Sequence, residues 1–66
     1  MTQRFSVKGM TCNKCVEHVR EALLELPGVR SASVDLSLAQ ATIEADADVP
    51  KERIAATLDE AGYALA

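Results

Sequence analysis

The stretch Gly9-Met10-Thr11-Cys12-Asn13-Lys14-Cys15 decides how the chain is read. Before it, Phe5 and Val7 alternate with Arg4, Ser6 and Lys8, the period-two signature of a strand with one buried face. After it, Val16, Val19, Leu23 and Leu26 recur at helical spacing, while Glu17, Arg20, Glu21 and Glu25 fall off that stripe. A strand and a helix are therefore joined by a short loop that holds both cysteines of the chain. Asn13 is the expected cap of the helix, its side chain accepting from the free amides of the first turn.

Working outward, Pro27-Gly28 stops the first helix. Ala32, Val34 and Leu36 alternate with Ser31, Ser33 and Asp35 in a second strand, and a tight turn near Ser37-Leu38 leads to a third. There Ala41, Ile43 and Ala45 alternate with Gln40, Thr42 and Glu44. Asp46-Ala47-Asp48 is a polar connection to a second helix with Ile54, Leu58 and Ala61 on its inner stripe and Gly62 at its end. Pro50 suits the first helical turn, which makes Val49 the cap by position, although Asp48 has the better capping chemistry. Tyr63 to Ala66 has the length of a short terminal strand only. The order β-α-β-β-α-β is the split-βαβ, ferredoxin-like plan: an α+β sandwich with a four-stranded antiparallel sheet and two helices on one face.

At 66 residues the chain is expected to form one domain, residues 1–66, near the lower limit for a self-sufficient core. It is 48% hydrophobic but only 3% aromatic, which fits a thin two-layer core without a buried substrate cavity. A net charge of -3 excludes the basic footprint of a nucleic-acid binder. No stretch reaches bilayer-spanning length and no basic-then-apolar segment precedes the first strand, so a cytoplasmic protein without membrane insertion is expected.

The chemistry sits in the cysteine pair. Thiolates are soft ligands that select Cu(I), Zn or Fe–S centres, and the positive end of a helix favours negative sulfur. A Cys12–Cys15 disulfide would close too small a loop to stabilise a fold, and two thiols cannot make a structural four-thiolate zinc cage. Buried small cysteines and a redox Cys-x-x-Cys are the competing readings. The latter is disfavoured by the small fold and the absence of Trp. No base, oxyanion donor or pocket accompanies the thiols, so catalysis is not expected.

The whole chain resembles the heavy-metal-associated (HMA) domain family, and within it the bacterial copper chaperones of the CopZ type. Gly9-Met10-Thr11-Cys12-Asn13-Lys14-Cys15 carries the resemblance, supported in register by Leu26-Pro27-Gly28-Val29 and Gly62-Tyr63. It implies that Cys12 and Cys15 hold one Cu(I) in a near-linear dithiolate site. It also implies ligand-exchange delivery to the metal-binding domain of a copper-transporting P-type ATPase, with a copper-responsive regulator as a further partner and a copper-bridged homodimer as an assembly. It places Met10 in the core and Tyr63 beside the metal loop, where shielding of the site and edge-of-core packing stand as equal readings.

His18, three residues after Cys15, reads first as solvated and second as an auxiliary ligand. Lys14 reads as a surface cation beside a net anionic site. Thr11, where zinc-type relatives tend to carry an acid, favours a monovalent ion. A regulatory domain of a transport ATPase and a mercury-binding or thiol-redox small protein remain as alternatives. Met1 directly before the first strand speaks against the first, and the lack of a signal segment against a periplasmic mercury scavenger.

Overall fold

The computed structural model describes residues 1–66 as β1 (Thr2–Lys8), α1 (Asn13–Leu24), β2 (Val29–Asp35), β3 (Gln40–Ala45), α2 (Lys51–Glu60) and β4 (Ala64–Leu65). The four strands form one antiparallel sheet in the order β2-β3-β1-β4. β1 pairs with β3 from Thr2↔Glu44 to Ser6↔Gln40, and with β4 through Val7↔Leu65 and Lys8↔Ala64. A register shift between Val29 and Ser31 interrupts the β2–β3 ladder at its lower end. The expected α+β plan is the observed one.

Period-two alternation places the apolar side chains on one face of this sheet. Val7, Ala41, Ile43 and Ala45 from the strands meet Val19 and Leu23 of α1 and Ile54 and Leu58 of α2 in one cluster, closed by Leu26 and Val49. Each large member contributes roughly 1.5–3 kcal/mol by leaving water, so a ten-residue core carries most of the stability of a chain this short. The opposite face carries Arg4, Ser33, Asp35, Gln40 and Thr42 around a shallow depression that also takes in Leu38. No helix is long and apolar enough to cross a membrane.

Several boundaries differ from the sequence reading: Leu36 lies in the turn after β2 and not in the strand, Ala61 is the C-cap of α2, and three more follow. Asn13 is the first helical residue of α1, not its cap; the cap position is Cys12, in extended conformation (φ -156, ψ 172) and without a side-chain cap bond. The Cys12 carbonyl already accepts the amides of Cys15 (3.1 Å) and Val16 (3.4 Å), so the helix starts one residue earlier than the carboxamide chemistry implied. For α2 neither Asp48 nor Val49 is the cap: Pro50 is, its carbonyl taking the amides of Arg53 (3.0 Å) and Ile54 (3.2 Å). Val49 is instead buried, and Gln3 holds it by both backbone groups, accepting from its amide at 2.7 Å and donating to its carbonyl at 3.0 Å. Leu26 lies beyond the end of α1 yet remains in the core, because the chain turns there and the Val29 amide bonds back to its carbonyl at 3.2 Å.

Candidate metal centre

β1 runs into the cysteine loop, and its neighbours on either side bring two further turns to the same end of the sheet. Ala39, just before β3, accepts from the Val7 amide at 2.8 Å, which sets the β2–β3 turn beside the loop. Tyr63, just before β4, lies on the other side against Gly9. A Cβ added at Gly9 would stand 3.5 Å from Tyr63 Cδ1, and Gly9 has φ +98, a conformation side-chain-bearing residues rarely adopt. Met10, in the same loop, packs against the core cluster as expected and leaves the next residues exposed.

Cys12 Sγ and Cys15 Sγ are 3.5 Å apart, both as free thiols, Cys12 exposed and Cys15 half-buried. Their separation follows from the cap: Cys12 occupies the last extended position and Cys15 the first turn of α1, so both side chains reach the same helix end. The first turn holds no acidic residue, so no carboxylate competes for the helix's positive end. The Cys15 thiol is lowered from 9.0 to about 6, chiefly by the Thr11 backbone amide, then by the Tyr63 phenol and the Cys12 thiol, with burial opposing. Thr11 Oγ1 adds a contact at 3.8 Å. This lowering favours the thiolate form of Cys15. The reciprocal effect pushes Tyr63 up to about 12, chiefly through its hydroxyl's interaction with the Cys15 sulfur, then by burial and the charge of the two nearby sulfurs.

The ring of Tyr63 packs against the core, one of the two readings considered for it, and its phenol is among the causes that lower the Cys15 thiol. The contribution of Thr11 is one the sequence reading missed. Thr11 was informative there only for not being acidic, and nothing in a linear pattern shows an amide turned toward a sulfur four residues on. His18 is exposed on α1, and no three His, Cys, Asp or Glu side chains come together as a metal-binding group. The site thus consists of two thiols, one of them acidified, at an accessible end of the molecule.

A family model described as the heavy-metal-associated domain matches residues 4–64. The chain is similar to the copper chaperone CopZ of Enterococcus hirae, 41% identical over 64 residues, which covers 96% of the chain and 93% of that protein. It is 36% identical to part of copper-transporting ATPase 2 of Rhizobium meliloti, covering 97% of the chain but 8% of the ATPase. It is also 38% identical to part of a mercuric reductase of Acidithiobacillus ferrooxidans, covering 92% of the chain and 11% of the enzyme. Among solved structures, a CopZ metallochaperone superposes over 100% of both chains with a TM-score of 0.90 at 28% identity. With the family model running from β1 to β4 and nearly the whole of one relative aligned, the chain belongs to the heavy-metal-associated domain family.

Proposed function

We propose that residues 1–66 act as a single Cu(I)-carrying domain in which Cys12 and Cys15 bind the metal as cargo and pass it on by ligand exchange. The observation that carries this reading is the pair of sulfurs 3.5 Å apart at an exposed helix start, with no third ligand assembled. Cu(I) accepts two soft ligands, whereas Zn prefers four. A near-linear site needs the two sulfurs farther apart than the 3.5 Å seen without metal. Rotation of the exposed Cys12 side chain supplies the extra separation, while Cys15 stays held by Thr11 and Tyr63.

Two thiolates leave the metal open to a third. A sulfur from a facing Cys-x-x-Cys loop can join before one of the original pair leaves, so the metal is never free. Cys12, the more exposed sulfur, is released first. The acceptor is the metal-binding domain of a copper-transporting P-type ATPase, supported by the similarity of one such ATPase to this chain. The same openness lets two copies share one copper as a bridged dimer, and a copper-responsive regulator is a second candidate recipient. We place the protein in the cytoplasm, where thiols stay reduced, and assign it no catalysis.

The mercuric reductase similarity favours a second reading, a soft-metal domain for Hg(II). Native mass spectrometry after reconstitution with Cu(I), Zn and Hg(II) under reducing conditions tests both. One Cu(I) per chain held against thiol is the expected result, and exclusive retention of Hg(II) or Zn overturns the copper reading. Stopped-flow transfer to an ATPase domain, with a high-affinity chelator present, tests delivery. Interception by the chelator would reduce the protein to a passive buffer.

A further inference from the structure

The two free edges of the sheet are built differently. β2 forms one edge, and the shift between Val29 and Ser31 breaks its regular spacing. Irregularities of this kind protect an edge from pairing with another chain. On the other side β4 covers only part of β1. It pairs with Val7 and Lys8 and ends in one bond from the Ala66 amide to the Ser6 carbonyl at 3.0 Å. The rest of β1, from Thr2 to Phe5, stays in unbroken register with β3, and its outer side has no strand partner.

Strand alternation fixes which groups are left there. The Val7 amide donates to the Ala39 carbonyl and the Met1 carbonyl accepts from the Ala45 amide, so odd-numbered residues of β1 turn their main-chain groups toward the β3 side. The Ser6 carbonyl faces β4, and Arg4 and Thr2, of the same parity, present amide and carbonyl to the open edge. Beside them lies a groove of about 240 Å³, where Phe5, Ile54 and Leu65 supply apolar surface and Arg4 and Lys51 supply charge. No acidic side chain lines it, although the chain has a net charge of -3. Arg4 and Lys51 are both exposed and neither is ion-paired; the pairs that form are Met1–Glu44 and Arg30–Asp46.

We propose that this edge takes up an extended peptide segment of a partner protein, with acidic and apolar residues alternating, as a strand antiparallel to β1 and in line with β4. Main-chain bonds to Arg4 and Thr2 hold it, and the side-chain register selects it. Carrying the β4 pairing one step further puts a peptide residue opposite Phe5, on the core-bearing face beside Ile54, and this residue is apolar. The next stands opposite Arg4 on the helix-free face, and this residue is acidic. Lys51, at the start of α2, favours further negative charge in the groove. The open edge lies toward the Thr2 end of β1, whereas the cysteine loop follows Lys8, so the bound segment leaves Cys12 and Cys15 uncovered. Nothing in this pairing depends on which metal the thiols carry.

The test is an amide NMR titration of the reduced, metal-free protein with a capped hexapeptide of alternating glutamate and valine. The expected result is saturable shifts at Thr2, Arg4, Ser6 and Lys51, with Cys12 and Cys15 unmoved. N-methylation of the peptide amides that face β1 should abolish them. A lysine–valine hexapeptide should bind roughly tenfold more weakly, and Arg4→Glu/Lys51→Glu should reverse that preference. Both positions are exposed, so the spectrum of this variant should match wild type away from the edge. Arg4→Gln/Lys51→Gln, which removes the charges without reversing them, should bind the two peptides alike. Absence of saturable shifts, shifts confined to another surface, or equal binding of both peptides by wild type overturns the proposal. Shifts at Thr2 and Arg4 that grow with protein concentration alone also overturn it, because a second copy would then fill the edge.

Discussion

Tyr63 occupies the space beside Gly9 that any other residue's side chain would need: a Cβ at Gly9 would lie 3.5 Å from the ring and 3.8 Å from the Gly62 carbonyl. The contact links the last loop of the chain to the first, and it sets the phenol opposite Cys15. The 3.5 Å approach is ordinary van der Waals distance, so crowding is not the obstacle at Gly9. The obstacle is φ +98. Gly9→Ala is expected to destabilise the protein by about 1–2 kcal/mol, read as a lower urea midpoint with an unchanged slope. An unchanged midpoint would mean the loop relaxes freely.

Acidity of the site gives a pH signature in the metal-free protein. Cys15 is lowered in the folded state from 9.0 to about 6, so the folded form binds fewer protons than the unfolded one between those values. The stability this contributes is present above pH 9, declines as pH falls, and is gone below about 6. Solvent screening at this exposed end keeps it small. Urea midpoints should rise from pH 6 to pH 9 in wild type, and this Cys15-linked rise should be missing in Cys15→Ser.

Removing the phenol should move that window. Tyr63→Phe keeps the ring packed against the core but takes away the second-largest cause of the lowering. Ultraviolet titration of thiolate absorbance should then show Cys15 titrating closer to 9, with slower alkylation at neutral pH. An unmoved titration would leave Thr11 and the Cys12 thiol as the whole cause.

Neither cysteine is part of the buried core. Cys12→Ser and Cys15→Ser should each lose Cu(I) to a chelator that wild type withstands, with the far-ultraviolet circular dichroism unchanged. A double mutant that still holds Cu(I) would remove these residues from the site.

Gln3 joins two segments distant in sequence through its paired bonds to Val49 at 2.7 and 3.0 Å. Gln3→Ala leaves the backbone of a buried residue without partners, which costs about 1–3 kcal/mol. Thermal melting should register the loss, while Cu(I) binding at the other end of the molecule should not change. Ala39 offers the opposite sign. At φ 51 it carries left-handed strain, and Ala39→Gly should raise the urea midpoint by the equivalent of roughly 1 kcal/mol.

Much of the protein was legible along the chain because its signals are local. Alternation in Phe5–Val7 and Ala41–Ala45, the helical stripe through Val19 and Leu23, and the breakers Pro27 and Gly62 each act over a few residues. Together they determine six elements and one apolar side for each. The pairing of Cys12 with Cys15 is local too, since three residues across a helix start always bring two side chains near. The caps escaped because they depend on which carbonyl the first amides reach. Cys12 and Pro50 won over residues with better capping chemistry because the incoming chain was already positioned there. Tertiary structure alone decided what surrounds the thiols. The Tyr63 phenol reaches Cys15 from 48 residues away because β4 pairs beside β1. Gln3 likewise reaches Val49 across 46 residues. Such contacts depend on strand order and register, which no local pattern carries; the physical chemistry of the site is set by neighbours that only the closed sheet brings together.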